Sequence, residues 1–482
     1  MNKLTSWPTL LGSSSRRDFL LRAGSGFGGL ALTALMAQDF LSTATAAELI
    51  NPLAPKLPHF KPTAKSVIWC FLDGGASHID LFDPKPQLNE LAGQPLPESF
   101  KRPVTAMGRT AYTPLLGCQR KFTRHGQAGT WVSDWYPEIA KCVDDIAVIR
   151  NCTADGLNHV GSVCQMNTGS ILGGRPCLGS WSIYGLGSQS QDLPGYVVLL
   201  DYPEEPPGGK RNWGTGFVPA TYQGTQFREG TTPILHLRPP SVMSEKRQQA
   251  KLNFIQQLNQ QHLQQRQEED ELEARIAAYE LAYRMQASAT EAVDLTLESL
   301  ETHELYGLNR PETQRNGRNC LMARRMVERG VRFVQLYMGA GSKWDAHKDI
   351  EGNHSKYCLE SDKPIAGLLK DLKRRGLLDE TIVVWAGEFG RTPMSESGDG
   401  RDHNPYGFTI WMAGGGIRGG ITHGETDEIG LYAINGQSHV HDLHATILHC
   451  LGMDHFDLTF LHNGRDERAT VDAGEVIRDI LA

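Results

Sequence analysis

Short apolar runs that stop abruptly at a charged residue or a glycine constrain this chain more than any other feature. Residues 65–72, Lys-Ser-Val-Ile-Trp-Cys-Phe-Leu, form the first, and it ends at Asp73-Gly74-Gly75. Such a run reads as a buried strand with a polar stop at its carboxyl end. Similar runs occupy 145–149, 196–200, 331–338, 381–386 and 408–413. Several follow helical stretches, as 365–375 precedes 381–386. Strands alternating with helices specify an α/β domain built on a mostly parallel sheet.

At 482 residues and 40% apolar content, the chain can bury a large core and exceeds the usual size of one domain. A net charge of −7 without a basic block argues against a nucleic-acid partner. The nine cysteines stand singly, without the close pairs of a zinc ribbon or a redox motif, and an odd number leaves at least one without an intramolecular partner.

The amino-terminal region carries Ser15-Arg16-Arg17-Asp18-Phe19-Leu20, the pattern of a twin-arginine export signal. A Gly- and Ala-rich stretch follows over 23–35, and Ala44-Thr45-Ala46 offers a small-x-small cleavage pattern. The apolar part is far shorter than the roughly 20 residues that span a bilayer, so no stable membrane span is expected. The expected organisation is a signal over 1–46, a Pro-rich linker over 47–64 and one domain over 65–482, with an insertion at about 203–305. Export machinery is then a partner, and the location periplasmic or secreted. The insertion opens with a Gly-, Pro- and Thr-rich stretch over 203–240 and continues as one or two long helices within 244–302, whose charges read as a solvated face.

Acids and histidines collect where the strands end. In open α/β sheets, ligands bind at the carboxyl edge, where loops leave the sheet. Asp73 and Glu388 each follow a strand, Asp345 and His347 lie in the loop after 331–338, and Asp402-His403 precede 408–413. Nine of the 17 histidines fall within 340–460. Carboxylates and neutral imidazoles are ligands for zinc or manganese, whereas magnesium and calcium prefer oxygens. Taken singly, an acid at a strand end is most often a cap, and a histidine such as His403 most often a hydrogen-bonded structural group. Their delivery by four separate segments to one edge favours a metal site.

These segments resemble the alkaline phosphatase and sulfatase superfamily, and in particular its exported branch, the domain of unknown function 1501 family. The likeness rests on Phe71-Leu-Asp-Gly-Gly-Ala-Ser-His-Ile-Asp80, Asn158-His159, Met166-Asn-Thr-Gly169, Trp344-Asp-Ala-His347, Gly387-Glu-Phe-Gly-Arg-Thr-Pro393, Gly400-Arg-Asp-His-Asn-Pro405 and Asp442-Leu-His-Ala-Thr-Ile-Leu448. It implies an alkaline-phosphatase-like three-layer sandwich. It further implies that Asp73, Asp345, His347, Glu388 and His403 hold a divalent metal, zinc in the first place, with calcium, magnesium or manganese as other ions. Phe389 stands where the superfamily has a histidine ligand. His159 stands where it has a hydroxyl or thiol nucleophile, open to the roles of nucleophile, base or ligand, with Ser162 in reserve. Asn158 and Arg391 are the expected substrate-binding residues, with Arg391 suited to clamp an anion. The activity implied is hydrolysis of sulfate or phosphate esters, on small molecules or polysaccharide. The alternative is a non-catalytic protein that keeps the fold to bind an anion or a glycan.

Overall fold

A computed structural model of the chain describes residues 51–201, 203–228 and 291–482, with scattered helical positions between 247 and 285. The expected export signal and most of the expected 244–302 helices lie outside the described residues. The strands of the main sheet and its hairpin are, in chain order, β1 (Ser66–Leu72), β2 (Ile146–Thr153), β3 (Tyr196–Leu200), β4 (Thr225–Phe227), β5 (Phe333–Met338), β6 (Thr381–Ala386), β7 (Gly390–Glu396), β8 (Gly400–Asn404), β9 (Phe408–Ala413), β10 (Ile421–His423) and β11 (Ser438–His439). The principal helices are α1 (His159–Thr168), α2 (Leu178–Leu186), α3 (Gln314–Glu328), α4 (Ile350–Arg374) and α5 (Val440–Cys450).

Nine strands form the main sheet in the order β10-β2-β9-β6-β1-β5-β3-β4, with β11 also on β2. Only β9 runs against the rest, pairing antiparallel with β2 and β6. The fold is α/β, with helices on both faces of a mostly parallel sheet. Strand β1 shows why its run is unbroken. Ile68, Cys70 and Leu72 pack into a core with Leu321 of α3 and Leu368 of α4, while Val67, Trp69 and Phe71 join Met166 of α1, Trp181 of α2 and Ile447 of α5. A strand covered on both faces needs apolar side chains at every position.

Parallel register brings the strand ends level. Leu72 stands opposite Met338, Phe71 opposite Ala386, and Leu200 opposite Tyr337. Asp73, Asp201, Gly339 and Gly387 therefore leave the sheet at one edge. Strand β2 leaves at the same edge and feeds α1, where the Asn158 side chain accepts from Gly161 N at 3.0 Å to cap the helix.

Three features differ from the sequence reading. The segment Gly400–Asn404, read from the sequence only as preceding a strand, is itself a strand of the β7–β8 hairpin. The loop-heavy 203–240 stretch contributes β4, which extends the sheet in parallel beside β3. Residues 53–64 are a docked strap rather than a free linker: Lys56 N donates to Leu186 O at 2.9 Å, Phe60 N to Gly452 O at 3.2 Å, and Thr63 N and Ala64 N to Cys450 O at 2.9 and 2.8 Å. All nine cysteines are unpaired. Among the described residues, no helix is long and apolar enough to cross a membrane.

Candidate metal centre

The turn after β1 sets the site. Gly74 and Gly75 have φ of +115° and +76°. A Cβ on Gly74 would lie 2.5 Å from Asp345 N, and one on Gly75 2.6 Å from the Phe389 ring. Glycine is therefore required both for the left-handed backbone and for the close approach of the neighbouring loops. Two carboxylates shape the loop after β5. Asp201 accepts from Gly339 N and Ala340 N at 2.8 and 2.7 Å, and Asp73 Oδ2 from Gly341 N and Ser342 N at 2.8 and 3.0 Å. Trp344 N donates to Asp73 O at 3.0 Å, which fixes the approach to Asp345.

Asp345 is the focus of three imidazoles. His159 Nε2 lies 3.1 Å from Oδ2, while His347 Nε2 and His403 Nε2 lie 3.1 and 3.3 Å from Oδ1. Each ring is held from behind through Nδ1. His159 Nδ1 meets Glu388 Oε1 at 2.7 Å, His347 Nδ1 meets Glu396 Oε2, and His403 Nδ1 meets Leu157 O at 2.7 Å. Glu388 is itself fully buried and accepts from Gly74 N at 3.0 and 3.2 Å. Potential ligand atoms of His159, Asp345, His347 and His403 all lie within 4.8 Å of one another. Phe389 stacks on His403 with centroids 4.3 Å apart and forms an apolar wall beside the cluster.

The charges explain the titration behaviour. Burial works against ionisation of Asp345, but hydrogen bonds from His159, His347 and His403, with the charge of Arg391, outweigh it and hold the carboxyl far below the usual range. Burial also opposes a proton on His159, yet its bonds to Asp345 and Glu388 raise it to about 9. His347 is raised in the same way by Asp345 and Glu396, while burial dominates at His403 and lowers it. Asp73 is raised well above the ordinary carboxyl value by burial and by the nearby charge of Glu388.

Of the five expected metal ligands, Asp345, His347 and His403 converge, and His159 joins them. Glu388 stands behind His159, and Asp73 contacts the Asp345 loop through its backbone and side chain. Asn158 serves as the cap of α1. Ser162 Oγ is buried without a hydrogen-bond partner, in a spot where a Cβ on Gly156 would come within 2.2 Å of it. Arg391 is fully buried and donates to Gly75 O at 2.9 Å, Arg401 O at 3.1 Å, Gly74 O and Trp344 O, and it pairs with Asp345 Oδ1 at 2.7 Å. Each of its three nitrogens is thus engaged with the loops or with Asp345, which makes it a positioning residue here rather than the free anion clamp expected. Sequence reasoning missed Glu396. It pairs with Gly400 across the hairpin, and this register alone carries it to His347. His347, Glu396 and Asp402 form a second group of close potential ligands.

The donor set suits a transition-metal cation. Nε2 of the three imidazoles lies 3.1 to 3.3 Å from the Asp345 carboxylate, and Asp73 Oδ1 is buried without a partner.

Comparison with known proteins gives the chain its relatives. Among solved structures it is similar to an alkaline phosphatase from the Antarctic bacterium TAB5, in its His 135 Glu mutant with magnesium bound, at 10% identity over 76% of this chain and 96% of that one, with a TM-score of 0.34. It is also similar to the PsFucS1 sulfatase from Pseudoalteromonas sp., at 11% identity over 86% and 72% of the two chains, with a TM-score of 0.33. The lipoteichoic acid synthase LtaP from Listeria monocytogenes matches at 10% identity over 84% and 77%, with a TM-score of 0.31. At such scores the likeness says nothing of what this chain acts on. No curated protein matches its sequence significantly. Residues 64–481, nearly the whole described domain, match the family described as "Protein of unknown function (DUF1501)", and the chain belongs to that family.

Proposed function

We propose that the protein is an exported, metal-dependent hydrolase of sulfate or phosphate esters, working in the periplasm or outside the cell. The observation that carries this reading is the convergence of His159, His347 and His403 on the Asp345 carboxylate at the carboxyl edge of the sheet. Three imidazoles and one carboxylate favour zinc over magnesium or calcium. A divalent ion held there supplies Lewis-acid stabilisation of the charge that builds on the ester oxygens during displacement. The ester class rests on the superfamily pattern of Asp73, Asp345, His347, Glu388 and His403, and small-molecule or polysaccharide esters both fit it.

The chain's own residues do the rest. Glu388 and Glu396 keep a proton on Nδ1 of His159 and His347, so that Nε2 of each presents a lone pair. Arg391 holds the Asp73-Gly74-Gly75 turn and the Trp344 loop against Asp345. Phe389, packed against the His159 and His403 rings, keeps water away from that side of the imidazoles. Of the three roles open to His159, that of ligand is the best supported, because both its nitrogens are engaged within the cluster.

A second reading, a non-catalytic anion- or glycan-binding protein, is favoured by two observations. All three Arg391 nitrogens are engaged with the neighbouring loops or Asp345, and the reserve nucleophile Ser162 is packed against Gly156. Purified protein should contain zinc and should cleave at least one chromogenic sulfate or phosphate ester, with both properties lost in His159→Ala and turnover lost in Asp73→Ala. Absence of metal together with absence of turnover removes the hydrolase reading. Metal without turnover across the ester panel turns the assignment to the binding protein.

A further inference from the structure

We infer that the centre holds one transition-metal ion on His159, His347, His403 and Asp345, and that Glu388 and Glu396 are positioning residues for its imidazoles rather than ligands of a second ion. The inference rests on the metal reading above but not on ester hydrolysis.

The three histidines share one arrangement although they come from the start of α1, the loop after β5 and the β7–β8 hairpin. Each presents Nε2 to Asp345, and each has an acceptor on Nδ1: Glu388 at 2.7 Å, Glu396, and the Leu157 carbonyl at 2.7 Å. A neutral imidazole that donates through Nδ1 must offer a lone pair at Nε2. Three such lone pairs and a carboxylate turned towards one another repel unless protons or a cation lie among them, and a cation satisfies all four at once. The acceptors behind the rings are the partners that usually fix the orientation of metal-binding histidines.

The same bonds leave little for a second ion. Glu388 Oε1 accepts from Gly74 N and is bonded to His159, and its Oε2 also accepts from Gly74 N, at 3.2 Å. The His347, Glu396 and Asp402 group would need His347 Nδ1, which faces Glu396, while Nε2 faces Asp345. One imidazole would then have to serve two ions and give up both its protons. Asp402 is occupied as well: its oxygens accept from Met107 N at 3.0 Å and His403 N at 2.7 Å. Among the described residues, the buried carboxyl oxygen left without a partner is Asp73 Oδ1, which makes Asp73 the residue to watch for a second ion.

The test is metal stoichiometry, not turnover. Apo-protein is titrated with cobalt(II) followed by its visible absorption, and with zinc followed by elemental analysis after gel filtration. One equivalent per chain with a single end point is expected in the wild type, and two equivalents overturn the inference, as does no binding. Glu388→Gln and Glu396→Gln, which keep an acceptor for Nδ1–H, should still bind one ion with affinity lowered about 10- to 100-fold. Asp73→Asn should still bind one. A fall from two ions to one in Glu388→Gln or Asp73→Asn identifies that residue as a ligand and overturns the assignment. The wild-type titration stands even if a variant fails to fold. One ion without ester turnover keeps this inference and removes the hydrolase, whereas two ions with turnover do the reverse.

Discussion

Arg401 and His403 are close neighbours on β8, yet they enter buried clusters of opposite character. Arg401 pairs with Asp80 through two hydrogen bonds of 2.9 and 3.2 Å and donates also to Leu116 O and Thr392 O at 3.0 and 3.2 Å. Ser77 Oγ donates to the same carboxylate, and Ser77 N donates to His354 Nε2 at 2.9 Å. Every charge there has a partner of opposite sign and every donor an acceptor. The His403 side differs, because acceptor faces acceptor around Asp345 and only protons or a cation can reconcile them. A closed cluster holds the hairpin in place, and an open one has the donors for the proposed ion. Burial does not separate the two, for both are deep; the balance of donors and acceptors does.

The sharpest way to break this contrast is to strand Arg401. Asp80→Ala leaves a buried guanidinium without its counter-ion and should cost about 3–5 kcal/mol of unfolding free energy. Urea denaturation measures it, and a loss under about 1 kcal/mol would mean that the pair is not the closed element described. Next in size is the response to zinc. An ion at 100 times its dissociation constant should stabilise the wild type by about 2.7 kcal/mol. His347→Ala should lose that response, and a thermal scan with and without zinc reads the difference.

Acid and alkali should then pull on different clusters in the chelated protein. Folded His159 is raised from 6.5 to about 9, so its contribution is fully present below pH 6.5 and is lost as pH rises through about 9. His354, lowered from 6.5 to about 3 by burial, behaves in the opposite sense, with its contribution present above 6.5 and lost as pH falls through about 3. Urea midpoints against pH should therefore decline on both sides. The alkaline decline should flatten in His159→Gln, while the acid one persists. Least in size is Lys65→Ala, which removes an exposed pair with Glu380 at 2.7 Å and should change stability by under about 1 kcal/mol. A larger effect would show that the strap beside it depends on that charge.

The sequence disclosed the strands best where both faces are covered. The runs at 196–200 and 381–386 coincide with β3 and β6, because burial on two sides leaves no polar residue to blur the ends. The direction of β9 was not legible, since its run looks the same either way; the β7–β8 hairpin turns the chain so that β9 enters from the opposite end. Short β4 was hidden among glycines and prolines, and edge pairing alone makes it a strand. The histidines and acids of the centre could be collected from their positions after strands. Their order of contact could not. Whether Glu388 touches a metal or a histidine depends on side-chain direction, and Glu396 sits in a polar turn that looks ordinary until the hairpin register brings it beside His347.

The position of β1 governs the order in which this molecule can be assembled. Val67 pairs with Phe333 on one side and Ile382 on the other, and the strap before it is held by Cys450 and Gly452. The early part of the domain must therefore wait, unpaired, for segments made much later, and such non-local pairing slows folding. His403 arrives later still than both neighbours of β1. A ribosome-bound fragment ending before β8 lacks one arm of the centre whatever else it has folded. Competence to bind the proposed ion would thus report that the chain has been made through β8, a property a cell could use to tell a finished molecule from a partial one.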